Sequence, residues 1–251
     1  MKNWNRWLWL ISVLVVFVSS TIIYKKDKVE QIRSVEFSIS SPTEMYLINE
    51  EDLKVYLYQF IDTLEQSSKT DVSLFQIERI LKENSHIKSV EAYFDRVSNI
   101  NIDVDLKQPL LRYIERGKRG FYISEDGDKI QWTPNYTPRL IIVRGNVENE
   151  RVNDSINPVF KSQLKMISKC GKMISKSSYL QSMVDEILFK SSNDIQLVSK
   201  IGNGRVLLGD TTDLAEKLNR VEVFYQEAYP RMGWEKYSQI DVRFKEKVYC
   251  R

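Results

Sequence analysis

The chain has 251 residues, of which 42% are hydrophobic and 28% charged, enough apolar material for one or two domains with real cores. Its net charge of +3 resides in residues 1–31, where Lys2, Arg6, Lys25, Lys26 and Lys28 face Asp27 and Glu30; the remaining 220 residues hold 32 basic and 32 acidic side chains. A neutral body argues against a nucleic-acid binder, which needs a net basic face. Two cysteines, Cys170 and Cys250, and the single histidine His86 exclude a disulfide framework and a zinc site of ordinary spacing.

The first element is an uncharged run from Trp7 to Tyr24, WLWLISVLVVFVSSTIIY. As a helix it would be about 27 Å long, close to the hydrocarbon thickness of a bilayer. Trp7 and Trp9 crowd one end and Tyr24 closes the other, as interfacial aromatics do, while Leu10, Val15 and Phe17 fill the span. A cleaved signal peptide would have a shorter apolar core and a small-residue cleavage site; here Ile22 and Ile23 resume after Ser19-Ser20-Thr21, so the run reads as a retained anchor. Basic residues flank both ends, and the positive-inside rule leaves its orientation open.

Residues 32–108 read as one β-α-α-β-β unit. Val35, Phe37 and Ile39 alternate in a strand; Asn49 caps a helix with an acidic first turn and a stripe of Leu53, Leu57, Phe60 and Leu64. Ser73 and Gln76 form a capping-box signature ahead of Leu74, Ile77 and Leu81. Val90, Ala92 and Phe94 mark the next strand, and Ile100, Ile102, Val104 and Leu106 the last, with a hairpin over residues 95–99.

Residues 109–251 are strand-rich. LLRYIER, GFYIS, KIQW and RLIIVRG read as strands, with Asp126-Gly127 as a turn. Asn157-Pro158 opens a helix that buries Phe160, Leu164, Ile167 and Ile174. Strands DEILFK, DIQLVSKIG and GRVLLG precede a second helix, from Thr212 or Asp213 to about Tyr229, which buries Leu214, Leu218, Val221, Tyr225 and Ala228 and is stopped by Pro230. The end, QIDVRFKEKVYCR, alternates strictly except at Glu246. Ile240, Val242, Phe244 and Val248 make its inward face; Gln239, Asp241, Arg243, Lys245, Lys247 and Tyr249 look outward. Glu246 predicts a bulge or fray dividing 239–245 from 247–250.

The remaining constellations have plain readings. Gly202-Asn203-Gly204 is followed by a strand, not a helix, and reads as a hairpin turn rather than a phosphate loop. His86 reads as an exposed loop residue at a helix end, and Asp103 and Asp105 as a solvated strand face. Cys170 and Cys250 read as partly buried thiols, with a disulfide as the alternative. Arg112, Arg116, Lys118 and Arg119 form a basic cluster near a hairpin tip. No catalytic, cofactor-binding or metal-binding motif stands out. An anchor carrying domains without chemistry works by binding, and an edge strand is a natural tool for it.

The order of these elements, with KQPLLRY, GFYISEDGDKIQWTPNYTPRLIIVRG, DIQLVSKIGNGRVLLG, LAEKLNRVEVFYQE and QIDVRF, resembles the bacterial cell-division family FtsQ (DivIB), and most of all its Bacteroidetes members. Two departures stand out: Leu106-Lys107-Gln108-Pro109 lacks the Glu of the Glu-Arg-x-Pro seen in many members, and Val97 or a neighbour replaces a hairpin proline. The resemblance implies an α+β protein. Residues 1–6 would be a cytoplasmic tail, 7–24 a transmembrane helix, 25–31 a juxtamembrane linker, 32–108 a POTRA domain and 109–251 a periplasmic β domain. It implies no enzyme activity, no cofactor and no small-molecule substrate. It implies a single-pass inner-membrane scaffold at the division septum, upstream of septal peptidoglycan synthesis, that binds an FtsB- and FtsL-like pair by strand addition along Gln239–Tyr249. The competing reading is an envelope-transport or outer-membrane-assembly factor that uses a POTRA-like unit.

Overall fold

The computed structural model describes residues 12–20, 31–43, 45–62, 64–65, 67–115, 119–152 and 155–251. Residues 12–20 are helical, and they include Val15 and Phe17 of the expected anchor; Trp7, Trp9, Leu10 and Tyr24 lie outside the described residues. Among the described residues, no helix is long and apolar enough to cross a membrane. The chain divides into two compact units, Met1–Leu106 and Lys107–Arg251.

The first unit has the expected β-α-α-β-β order: β1 (Val35–Ser40), α1 (Glu50–Tyr58), α2 (Leu74–Lys82), β2 (Ile87–Phe94) and β3 (Ile100–Leu106). The sheet order is β1-β3-β2, with β1 parallel and β2 antiparallel to β3. Asn49 and Asp52 exchange side-chain-to-backbone hydrogen bonds at 2.8 and 3.0 Å, a full capping box that satisfies two N-terminal amides of α1. Leu53 and Leu57 of α1 and Ile77 and Leu81 of α2 are buried with Ile100, Ile102 and Val104. Phe60 departs from the expected stripe: α1 ends at Tyr58, so the helical spacing no longer aims it inward and it is exposed, edge-on to Tyr56.

The 95–99 hairpin turns without proline. Asp95 accepts from the amides of Val97 and Asn99, both at 2.8 Å, and from the Asn99 side chain at 3.0 Å, while Ser98 takes φ 69°. These bonds, led by the Asn99 amide, hold the Asp95 carboxyl below its usual range. Asp105 is exposed as expected and ties three strands together, accepting from Ser89 at 2.7 Å and from Ser40 across the sheet. His86 corrects its expectation: it is buried, and its Nδ1 lies 2.9 Å from Asn84 Oδ1, which also accepts the His86 backbone amide. The turn between α2 and β2 is too tight to leave that ring in solvent.

The second unit is built on a nine-stranded sheet. Its strands are β4 (Pro109–Tyr113), β5 (Phe121–Ser124), β6 (Lys129–Gln131), β7 (Ile141–Gly145), β10 (Val184–Ser191), β11 (Asp194–Ser199), β12 (Arg205–Gly209), β13 (Gln239–Asp241) and β14 (Tyr249–Cys250). Their order is β14-β13-β12-β11-β10-β7-β4-β5-β6. A small hairpin, β8 (Arg151–Val152) with β9 (Ser155–Ile156), lies apart from it. Helices α3 (Pro158–Ser175), α4 (Ser178–Met183) and α5 (Leu214–Val223) complete the core. Phe160, Leu164, Ile167 and Ile174 of α3 and Leu214, Leu218 and Val221 of α5 pack with Leu111, Val143, Ile187, Leu197 and Val206. Gly171 allows the close approach of α3 to β4, since a Cβ there would stand 2.8 Å from the Leu111 side chain. Cys170 is free and buried in this core, and burial pushes its thiol up to about 12.

Pro230 does not stop the helical path. After α5 the backbone widens into a π turn, Phe224–Ala228, and Pro230 sits in the first turn of α6 (Tyr229–Met232), where no amide donor is needed. The path ends at Gly233, φ 93°.

Candidate partner-binding edge

The edge of the large sheet is reached through a crossover. β12 and β13 are parallel, so the chain must travel back along the sheet, and α5, the π turn and α6 make that return. An aromatic cluster anchors it: Tyr229 lies 5.0 Å from both Tyr225 and Trp234, and 5.4 Å from Phe224. The Gly202-Asn203-Gly204 turn, confirmed as the β11–β12 connection, closes over this cluster. Gly202 has φ 75°, and a Cβ on it would meet the Trp234 carbonyl oxygen at 2.3 Å, so glycine is required twice over.

β13 then pairs with β12 on one side and β14 on the other. The expected rail Gln239–Tyr249, with a break at Glu246, is therefore corrected to a closed hairpin. Gln239, Ile240 and Asp241 are interior to the sheet order; of this segment, Tyr249 and Cys250 stand at one edge of the sheet, and β6 forms the other. The reversal has three causes. Asp241 accepts the amide and guanidinium of Arg243 at 2.6–3.1 Å, which bends the chain just past β13 and holds the Asp241 carboxyl below its usual range. Arg220 donates to the Val242 carbonyl at 2.9 Å, taking an acceptor that would otherwise serve a ladder. Glu246 adopts φ 59° and turns the chain back, so the expected break occurs there, but as a reversal.

The inward face holds only in part. Ile240 and Val242 are fully buried and Val248 is half-buried against the core, whereas Phe244 is 52% exposed. Beyond Val242 the sheet no longer continues beneath the chain, and Phe244 instead stacks edge-on against exposed Tyr249 at 5.1 Å. Arg243 lays its stem over Gly209, and Lys245 and Lys247 are exposed in the connection.

The hydrogen-bond phase of β14 shows what the edge offers. Arg251 and Gln239 exchange both backbone bonds, at 2.9 and 3.0 Å. In an antiparallel pair the residue between two such pairs points its backbone groups the other way, so the N–H and C=O of Cys250 face outward from the sheet. Its thiol, free and half-buried, is raised by burial. Beside this edge a groove of about 380 Å³ runs between α5 and the reversal, with Val223, Phe224, Ala228 and Val248 as its apolar lining and Arg220, Glu227 and Glu246 as its charges. The sequence marked Val248 and Phe244 alike as inward-facing; the exposure of Phe244 and the groove both depend on where the chain turns, which alternation does not encode.

The first unit's edge is differently managed. Glu78 of α2 accepts the Ala92 amide at 2.9 Å, occupying a donor on the free side of β2. Of the basic cluster, Arg116 and Lys118 lie outside the described residues, Arg112 stands within β4, and Arg119 covers the Trp132 ring at 5.0 Å.

The family model for the FtsQ/DivIB, C-terminal related domain matches residues 108–251, the whole span from the start of β4 through this edge. The chain belongs to the FtsQ/DivIB family. FtsQ/DivIB proteins are non-enzymatic scaffolds of bacterial cell division, and membership gives the chain a role in division, with protein partners of the division complex at the septum. No curated protein matches it. In this FtsQ/DivIB member the matched region contains both the terminal hairpin and the crossover that positions it.

Proposed function

We propose that the protein is a membrane-anchored scaffold that holds an FtsB- and FtsL-like pair by taking a partner strand onto β14. The observation that carries this reading is the outward-facing backbone of Cys250 at the end of the large sheet, beside the exposed Phe244 and Tyr249. Strand addition supplies affinity through main-chain bonds, and flanking pockets supply specificity. The rail is thereby shortened from Gln239–Tyr249 to β14 and the reversal, where Lys245, Lys247 and Tyr249 remain accessible. The division into tail 1–6, membrane helix 7–24, linker 25–31, POTRA domain 32–108 and β domain 109–251 belongs to the same proposal, with the N-terminus cytoplasmic and the ectodomain periplasmic. The β-α-α-β-β order of the first unit supports its POTRA part. A strand-chaperoning role for that unit is disfavoured by Glu78, which already occupies the Ala92 amide.

The direct test is co-purification of the full-length protein with the FtsB-like protein of the same organism, alongside imaging of a fluorescent fusion. Recovery of the pair and a band at mid-cell are expected. Normal recovery from a variant in which β14 cannot accept a strand would refute the edge reading.

A further inference from the structure

The longest helix among the described residues, α3, carries a second surface. Between Pro158 and Ser177 there are five lysines, Lys161, Lys165, Lys169, Lys172 and Lys176, and no acidic residue. At 100° per residue they occupy one arc of about 80°, and they extend along about 22 Å of helix axis. Four of them are exposed and Lys172 is half-exposed, while the opposite arc is the core face of Phe160, Leu164, Ile167 and Ile174. Among the described residues, Lys169 donates to the Thr211 carbonyl at 3.2 Å, which leaves its charge in place, and Lys172 stands 3.9 Å from Asp126. Val159, Met166 and Met173 recur every seven residues along its border; Val159 is exposed and the two methionines are half-buried.

We infer that α3 is a docking rail for an acidic amphipathic helix of a partner protein, separate from the β14 edge. Lysines spaced four, four, three and four residues apart match carboxylates repeating at helical spacing on a facing helix. The Val159-Met166-Met173 line gives such a helix an adaptable apolar seam. A groove of about 290 Å³ opens among Lys165, Lys169, Lys172 and Lys176, with Met173 in its wall, and it admits a side chain rather than a flat surface. Its other wall holds Glu125 and Asp126, which would repel the plane of an anionic bilayer but leave a narrow acidic rod room on the lysine side. Lysine in place of arginine fits a row of point charges better than bidentate recognition of one fixed group.

The experiment uses the full-length protein in neutral-detergent micelles. The probe is a labelled helical peptide of about 18 residues with glutamate at every third or fourth position and leucine on one border, long enough to span the rail. A peptide of identical composition with scrambled charge order is the control, and bicelles containing phosphatidylglycerol form a third arm. The ordered peptide is expected to bind at least about tenfold more tightly than the scrambled one, weakening with salt. Replacing Lys165, Lys169 and Lys172 together by glutamine should weaken it by about tenfold, and replacing them by arginine should retain it. Equal binding of both peptides, unchanged binding by the glutamine variant, or capture by the bicelles alone overturns the proposal. An unchanged melting curve for the glutamine variant establishes that binding, not folding, was altered.

Discussion

Replacing Cys250 by proline probes the edge at a single atom. The Cys250 amide points outward, so its loss leaves the two bonds between Arg251 and Gln239 in place. An added strand would lose one donor, and the proline ring would occupy the space its backbone needs. One net hydrogen bond contributes about 0.5–1.5 kcal/mol. With the ring clash included, a loss of about 2 kcal/mol is reasonable, about thirtyfold in affinity. The assay is titration calorimetry of the full-length protein against the FtsB-like partner, paired with a thermal melt. Stability should change little, because the outward Cys250 amide is not used in the ladder to β13 and the half-buried thiol is replaced by a ring that still covers the margin of the core. Wild-type affinity with an intact fold would refute the assignment of β14 as the docking strand, since Cys250 carries the outward-facing amide of that two-residue strand.

Other perturbations test separate parts of the structure. Serine in place of both Phe244 and Tyr249 should weaken partner binding by about tenfold or more, as exposed aromatics at an interface do, while the melting temperature stays constant because neither ring is in the core. Gly202→Ala should destabilise the second unit by about 2 kcal/mol or more, read by denaturant titration, because φ 75° and the Trp234 carbonyl both oppose a Cβ. Leu57→Ala, in the first unit's core, should cost about 2–5 kcal/mol, measured the same way. Asp210 is held down to about 2, first by its hydrogen bond from Lys217 at 2.8 Å, so its contribution is fully present above its ordinary pKa of 3.8 and is lost as pH falls toward 2. Asp210→Asn should flatten the acid limb of a stability–pH curve in that window; an unchanged limb would show that the pair contributes nothing measurable.

Local periodicity made most elements legible. Ile100, Ile102, Val104 and Leu106 alternate in sequence and are all buried in β3, because a strand's two faces are set by parity alone. Asn49, Ser73 and Asn157 all cap as their residue types predict, since the bonds they make lie within three residues. Pro230 misled because the π turn before it removes the need for its missing donor. The β8–β9 hairpin escaped notice because two-residue strands carry no period.

The terminal segment divides the two kinds of information most sharply. Its alternation by itself determined that Ile240 and Val242 face a core, and Glu246 marked where regularity fails. Only the tertiary structure decided that the chain folds back there, that β13 is enclosed and that Cys250 presents the open edge. The physical reason is that parity is a property of one strand, whereas an edge is defined by what lies beside it. That was settled by Arg220 and the Tyr229 cluster, which the crossover carries to β13, and by Gly202 of the β11–β12 turn, which lets the chain close over that cluster.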